Sequence, residues 1–170
     1  MKSNYLENGT LALALFVTGI MAGFFYTYTF NVNLAMLEVN GEIYAIVQSL
    51  FNENVRHFMF FVFFFGGGAA SVVAILANIR HYKRLDFWLI VLAGFVYFFG
   101  IIVFTAQVNL PLNYYTESWD PQSLPQDWED TRNAWNVANA KRVFFSFVSF
   151  ILYIVIFIRR ASGVKANGLV

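Results

Sequence analysis

Cysteine is absent from this 170-residue chain. That excludes disulfides, cysteine-ligated zinc, iron–sulfur clusters and thiol catalysis. Charge is scarce as well: Asp, Glu, Lys and Arg make up 12% of the residues, against about 25% in an ordinary soluble domain. So few charges cannot cover a water-exposed surface of this size. With 59% hydrophobic and 20% aromatic residues, the chain reads as an integral membrane protein. The net charge of +1 comes without a dense basic patch, which excludes nucleic acid as a partner. The only histidines, His57 and His81, would lie ~36 Å apart on one helix, too far to clamp a haem. No His, Asp or Glu cluster has metal-ligand spacing, and there is no Ser-His-Asp arrangement or phosphate loop. Neither a metal nor another cofactor is therefore expected. The middle of every apolar run lacks an ionisable residue, which argues against an ion-coupled transporter.

What is present is a set of four long apolar runs. Helices are predicted over about residues 10–37, 57–80, 86–109 and 127–160, with a short interfacial helix over about 42–51, all in a single membrane domain. Runs of about 20 residues suit ~30 Å of hydrocarbon. The first run exceeds a signal-peptide core and is read as a spanning helix. The fourth has a shorter apolar stretch, Val143 to Ile158, and must borrow its upstream turn. The fold expected is an all-α, four-transmembrane-helix bundle.

Orientation follows from the basic residues. Lys2, Arg80, Lys83, Arg84, Arg159, Arg160 and Lys165 fall on one side. Arg56, Arg132, Lys141 and Arg142 fall on the other, with eight of the ten acids. Both termini are expected in the cytoplasm, the fourth helix extends on the extracytoplasmic side, and the location expected is a bacterial inner (plasma) membrane.

Small and polar residues interrupt the runs. Gly19-x-x-x-Gly23 and Gly66-Gly67-Gly68 permit close helix packing. The second run alternatively exposes backbone carbonyls to a ligand. The phenylalanines from Phe58 to Phe65 read as lipid-facing and core surface. Thr27 with Asn31, and Thr29 with Asn33, share faces near the end of the first helix, either solvated at the interface or lining a pocket. Thr105 and Asn109 share a face near the end of the third helix, which Pro111 should stop. Asn113 follows with two tyrosines expected at headgroup level.

Any recognition or chemistry must sit in the polar stretch from Val108 to Arg142. Arg132, Trp135, Asn139 and Arg142 fall at i, i+3, i+7 and i+10, within an arc of about 80° on a helix. This stripe of two cations, an amide and an indole either faces inward towards Asn109 and Asn113, or binds lipid phosphates while Ala134, Val137 and Ala138 form the buried face.

The pattern V-N-L-P-L-N (Val108 to Asn113), W-D-P (Trp119 to Pro121), D-W (Asp127-Trp128) and R-x-x-W-x-x-x-N-x-x-R (Arg132 to Arg142) resembles the anthrone-oxygenase-like family of small four-helix membrane proteins. The first-helix run from Ala22 to Phe30 fits it too. The resemblance implies cofactor-independent oxidation of an anthrone to an anthraquinone in some members. It carries over onto Asn109, Asn113, Arg132, Trp135, Asn139 and Arg142 as ligand-binding candidates. Such chemistry needs a substrate anion, a group that stabilises it, and oxygen. The two arginines could hold an oxyanion, the asparagines orient it and Trp135 stack on a ring. His57 is the candidate base, with Glu53, Asp127 and Asp130 as alternatives; no catalytic residue is otherwise assigned. The competing reading is a non-catalytic membrane subunit or lipid-binding scaffold. Expected partners are the lipid bilayer, a small aromatic or quinone-like ligand, and other membrane proteins or further copies of this chain.

Overall fold

A computed structural model describes residues 5–166, with side chains through Ser162. Lys2 and the Lys165 side chain, both used in the charge count, lie outside the described residues. Among the described residues all elements are helical apart from one isolated bridge between Asp120 and Ser123. Five helices follow in order: α1, Tyr5–Leu37; α2, Gly41–Val55; α3, Phe58–Ala77; α4, Leu85–Glu117; and α5, Trp128–Ala166. Four of them (all but α2) are long and apolar enough to cross a membrane. At 1.5 Å per residue α5 is ~58 Å long, well beyond the hydrocarbon thickness.

The helices start where local chemistry satisfies their first N–H groups. The Asn40 side chain accepts from the Ile43 N–H at 2.9 Å and starts α2. The His57 Nδ1 accepts from the Phe60 N–H at 3.4 Å and starts α3.

Two expectations about helix ends are corrected. α2 is longer than the interfacial helix predicted over 42–51. The third spanning helix was expected to stop near Asn109, but α4 runs through Pro111 to Glu117. The cause lies just upstream. α4 carries two π-helical segments, Phe98–Val103 and Thr105–Asn109. Pro111 then sits in the first turn of the α-helical stretch Leu110–Glu117, where a missing N–H is tolerated. Asn113, Tyr114 and Tyr115 are consequently helical residues.

α1 packs against α3 and α5, and α4 packs against α5 and α3, so the four spanning helices form a closed square. Small residues set the close contacts. A Cβ on Gly67 would clash with the phenol end of Tyr97, and one on Gly100 with the base of the Phe145 ring. The Tyr97 hydroxyl crosses the Gly67 slot and donates to the Phe64 carbonyl at 2.9 Å. Ser71 donates to the Gly67 carbonyl at 2.7 Å and accepts from Tyr153 at 2.9 Å. Two carbonyls at the glycine run, those of Phe64 and Gly67, thus accept from hydroxyls of this chain. Of the Gly19/Gly23 pair only Gly19 is a contact, with Phe150 at 2.8 Å from its would-be Cβ; Gly23 has open space.

Three apolar clusters stack along the bundle. Leu11, Ala74, Ile90 and Tyr153 belong to the one nearest the termini. Met21, Phe25, Phe64, Tyr97 and Ile101 form the middle one. Met36, Tyr44, Ala45 and Trp119 form the third, under α2 and the 118–127 connection. The candidate site lies between the second and third.

Candidate functional site

The stripe on α5 divides. Trp135, Asn139 and Arg142 are buried and line one cavity of about 220 Å³ together with Asn113. Arg132 turns away: its guanidinium lies 4.8 Å from the Trp128 ring centre and 5.7 Å from that of Tyr44, in the third cluster. Of the residues proposed as an alternative buried face, Ala138 is buried, whereas Val137 and Ala134 are exposed.

A polar relay fixes the inward part. Thr29 Oγ1 accepts from Asn139 Nδ2 at 2.7 Å. Asn139 Oδ1 in turn accepts from an Arg142 guanidinium nitrogen at 2.5 Å. The Asn139 amide therefore has one orientation that satisfies both neighbours. Thr29 can reach it because residues Tyr28–Val32 of α1 form a π-helical turn, and such turns re-aim side chains. Of the two polar pairs on α1, Thr29 and Asn33 face the interior; Thr27 and Asn31 are exposed.

Arg142 is 7% exposed. Its guanidinium lies 4.7 Å from the Phe25 ring centre and 5.6 Å from that of Trp135. Its Nε has no hydrogen-bond partner, and no carboxylate pairs with it among the described residues. The result is a buried, unneutralised cation facing a cavity. Trp135 Nε1 donates to Asn113 Oδ1 at 2.7 Å, which leaves the Asn113 amide nitrogen as a free donor. The Tyr28 ring leans against Trp135 at 5.1 Å.

The remaining walls are mostly aromatic. Phe60, Phe61, Phe64 and Phe65 of α3 line the cavity, as do Phe24 and Phe51. The phenylalanine run read as lipid-facing and core surface thus also forms much of the cavity wall. Its i, i+4 pairs, Phe60 with Phe64 and Phe61 with Phe65, stack at 5.3 and 6.0 Å, and that spacing was the available signal. Tyr28 and Asn52 were missed because nothing in the local sequence distinguishes an inward tyrosine or asparagine from an interfacial one.

α2 roofs the cavity. Gln48 donates to Asn52 at 2.9 Å, and Asn52 donates to Thr116 of α4 at 3.1 Å. Arg56 donates to the Asn52 carbonyl at 2.8 Å and forms an ion pair with Glu117. That hydrogen bond to Glu117 holds the Arg56 guanidinium above its ordinary pKa. In the neighbouring cluster, burial pushes the Tyr44 phenol up, while Arg132 opposes the shift.

Two other candidates stand apart. Asn109 is fully buried, with neither end of its amide hydrogen-bonded, and it is not among the residues lining the cavity. His57 caps α3 at the exposed rim and lines two shallower pockets outside the stripe cavity. Among the residues lining the stripe cavity there is no carboxylate and no imidazole.

A family model described as anthrone oxygenase matches residues 56–152, more than half of the chain. The match takes in α3, α4 and the whole α5 stripe, and leaves out α1 with Tyr28 and Thr29. Comparison with curated proteins gives no match, and neither does comparison with solved structures.

Proposed function

The chain belongs to the anthrone oxygenase family, and on that premise we propose that it oxidises an anionic, planar aromatic compound of the anthrone class in the Arg142 cavity. The observation that carries this reading is the buried Arg142 guanidinium without a counter-ion. Keeping a cation out of water costs several kcal/mol unless something negative meets it. A bound enolate or phenolate supplies that charge, and the flanking Trp135 and Tyr28 rings offer faces for stacking. The Asn113 amide nitrogen can donate to a second ligand oxygen.

In this reading the cation also replaces a dedicated base. A positive charge within hydrogen-bond range lowers the pKa of a bound acid, so the ligand ionises on binding and its proton leaves to water. The methylene carbon between the rings then reacts with dioxygen. One oxygen atom becomes the carbonyl oxygen, and the other leaves as water with the remaining methylene hydrogen and a proton taken back from solvent. Arg142 contributes by stabilising the oxyanion before and during attack.

The positive-inside bias supports placing the cavity at the extracytoplasmic end. Arg80, Lys83, Arg84, Arg159 and Arg160 cluster at the opposite end of the bundle.

The test is oxygen uptake by the detergent-purified protein with a 1,8-dihydroxyanthrone. Arg142→Ala is expected to lower the rate by 100-fold or more, in line with the loss of an oxyanion-stabilising group. Equal rates for wild type and variant, or no uptake by either, would remove the oxygenase reading and favour the non-catalytic membrane subunit.

A further inference from the structure

Both ends of the bundle are closed by polar contacts, yet its flank is open. At the roof, the Arg56–Glu117 pair and the Gln48–Asn52–Thr116 chain tie α2 to α4. At the other end Glu7 pairs with Arg80 at 2.5 Å and His81 at 3.0 Å. Arg160 there bridges Asn78 at 2.5 Å and Asn8 at 2.8 Å. Between α1 and the α2–α3 corner, by contrast, lies an open groove of about 540 Å³. It shares four wall residues with the Arg142 cavity: Phe24, Tyr28, Phe51 and Val55.

The groove wall is graded. Ile20, Gly23 and Phe24 make one part wholly apolar, while towards α2 the polar groups of Thr27, Asn54 and His57 join Val32, Phe51 and Val55. Such a gradient matches the boundary between hydrocarbon and headgroups. The partition between groove and cavity is made of side chains, not backbone. Phe24 and Phe51 are 38% and 37% exposed, so neither ring is locked by packing on all sides. Gly23 borders open space in the groove, since no atom lies within 4 Å of where its Cβ would be.

We infer that the cavity takes its ligand from the lipid phase, through the groove beside Gly23, and that its substrates are compounds that partition into the bilayer and not water-dissolved ones. This rests on the ligand-binding reading of the Arg142 cavity, but its test does not need the ligand. Movement of the Phe24 and Phe51 side chains opens the way, and no backbone rearrangement is required. The polar half of the groove mouth receives the ligand's oxygen atoms at headgroup level, and its rings follow the apolar half inward to Trp135.

The native chain has no cysteine, so one introduced thiol reports alone. Thr105→Cys is nearly isosteric, and the Thr105 hydroxyl is buried, unpartnered and on the cavity wall, outside the groove. In lipid vesicles, a membrane-soluble pyrenyl maleimide is expected to modify the Thr105→Cys thiol at least 10-fold faster than a sulfonated, membrane-impermeant maleimide. Adding Gly23→Trp, which fills the groove, is expected to slow the membrane-soluble reagent at least 10-fold. Gly23→Leu gives a smaller plug should the tryptophan impair folding, and Val62→Trp, exposed on α3 and in the wall of neither the cavity nor the groove, serves as the control that leaves the rate unchanged. Comparable rates for the two reagents would mean entry from water and overturn the inference. So would a rate insensitive to both Gly23 variants, or no modification by the soluble reagent. Failure of the anthrone assay alone would leave these labelling results standing.

Discussion

At the scale of single residues, Arg142 is where stability and function pull apart. Its guanidinium is 7% exposed and meets two aromatic rings and one amide oxygen. A desolvated cation–π contact contributes about 2 kcal/mol and a charged hydrogen bond roughly 1.5–3 kcal/mol. Together these do little more than offset the several kcal/mol of desolvation. On the function proposed above, a cation kept under such terms is explained by the anion it would bind. Arg142→Met retains the length and the ring contacts and removes the charge. The thermal unfolding midpoint in detergent is therefore expected to stay level or to rise by about 2–4 °C for each kcal/mol gained, while oxidation of an anthrone is lost. A midpoint that falls by several degrees would instead make Arg142 a structural strut.

At the scale of helices, the two glycine motifs separate cleanly. Gly67→Ala places a methyl against the phenol end of Tyr97 and must displace that ring or push α3 from α4, an overpacking cost of about 1–3 kcal/mol. Gly23→Ala meets nothing and should change stability by no more than about 0.5 kcal/mol. Thermal unfolding of both variants in one detergent tests the contrast, and equal losses would contradict it. The same helices show what the sequence could and could not reveal. Four apolar runs were legible because bilayer thickness fixes their length. The continuation of α4 past Pro111 was not, because it depends on π-helical turns at Phe98–Val103 and Thr105–Asn109, which have no composition signature. The α5 stripe was legible as a face but not as a direction. Only tertiary packing turns Trp135, Asn139 and Arg142 inward and leaves Arg132 against Trp128 and Tyr44. The phenylalanine run on α3 was legible as lipid-facing and core surface but not as a cavity wall, for a related reason. A ring facing lipid and a ring facing a cavity have the same sequence signal, since both surroundings are apolar.

At the scale of the whole molecule, the two ends of the bundle differ in kind. The end near the termini is closed by charge pairs, Glu7 with Arg80 and Asp86 with Arg159 at 2.6 Å, and by a His81 contact to Glu7. The cavity end is closed by amides, aromatics and the single Arg56–Glu117 pair. Basic residues that sit in pairs and in excess at one end are what holds a helix bundle in a fixed orientation during insertion. The orientation proposed above then fixes where the cavity lies, and it can be measured in the cysteine-free chain. Ser123 and Lys83 are both exposed, Ser123 in the α4–α5 connection and Lys83 in the α3–α4 turn. In intact cells, a membrane-impermeant maleimide should label Ser123→Cys, and should label Lys83→Cys only after permeabilisation. The opposite pattern would invert the bundle and put the Arg142 cavity at the cytoplasmic end. Delivery of ligand from the bilayer would survive that result, because the groove beside Gly23 opens sideways whichever end faces the cytoplasm.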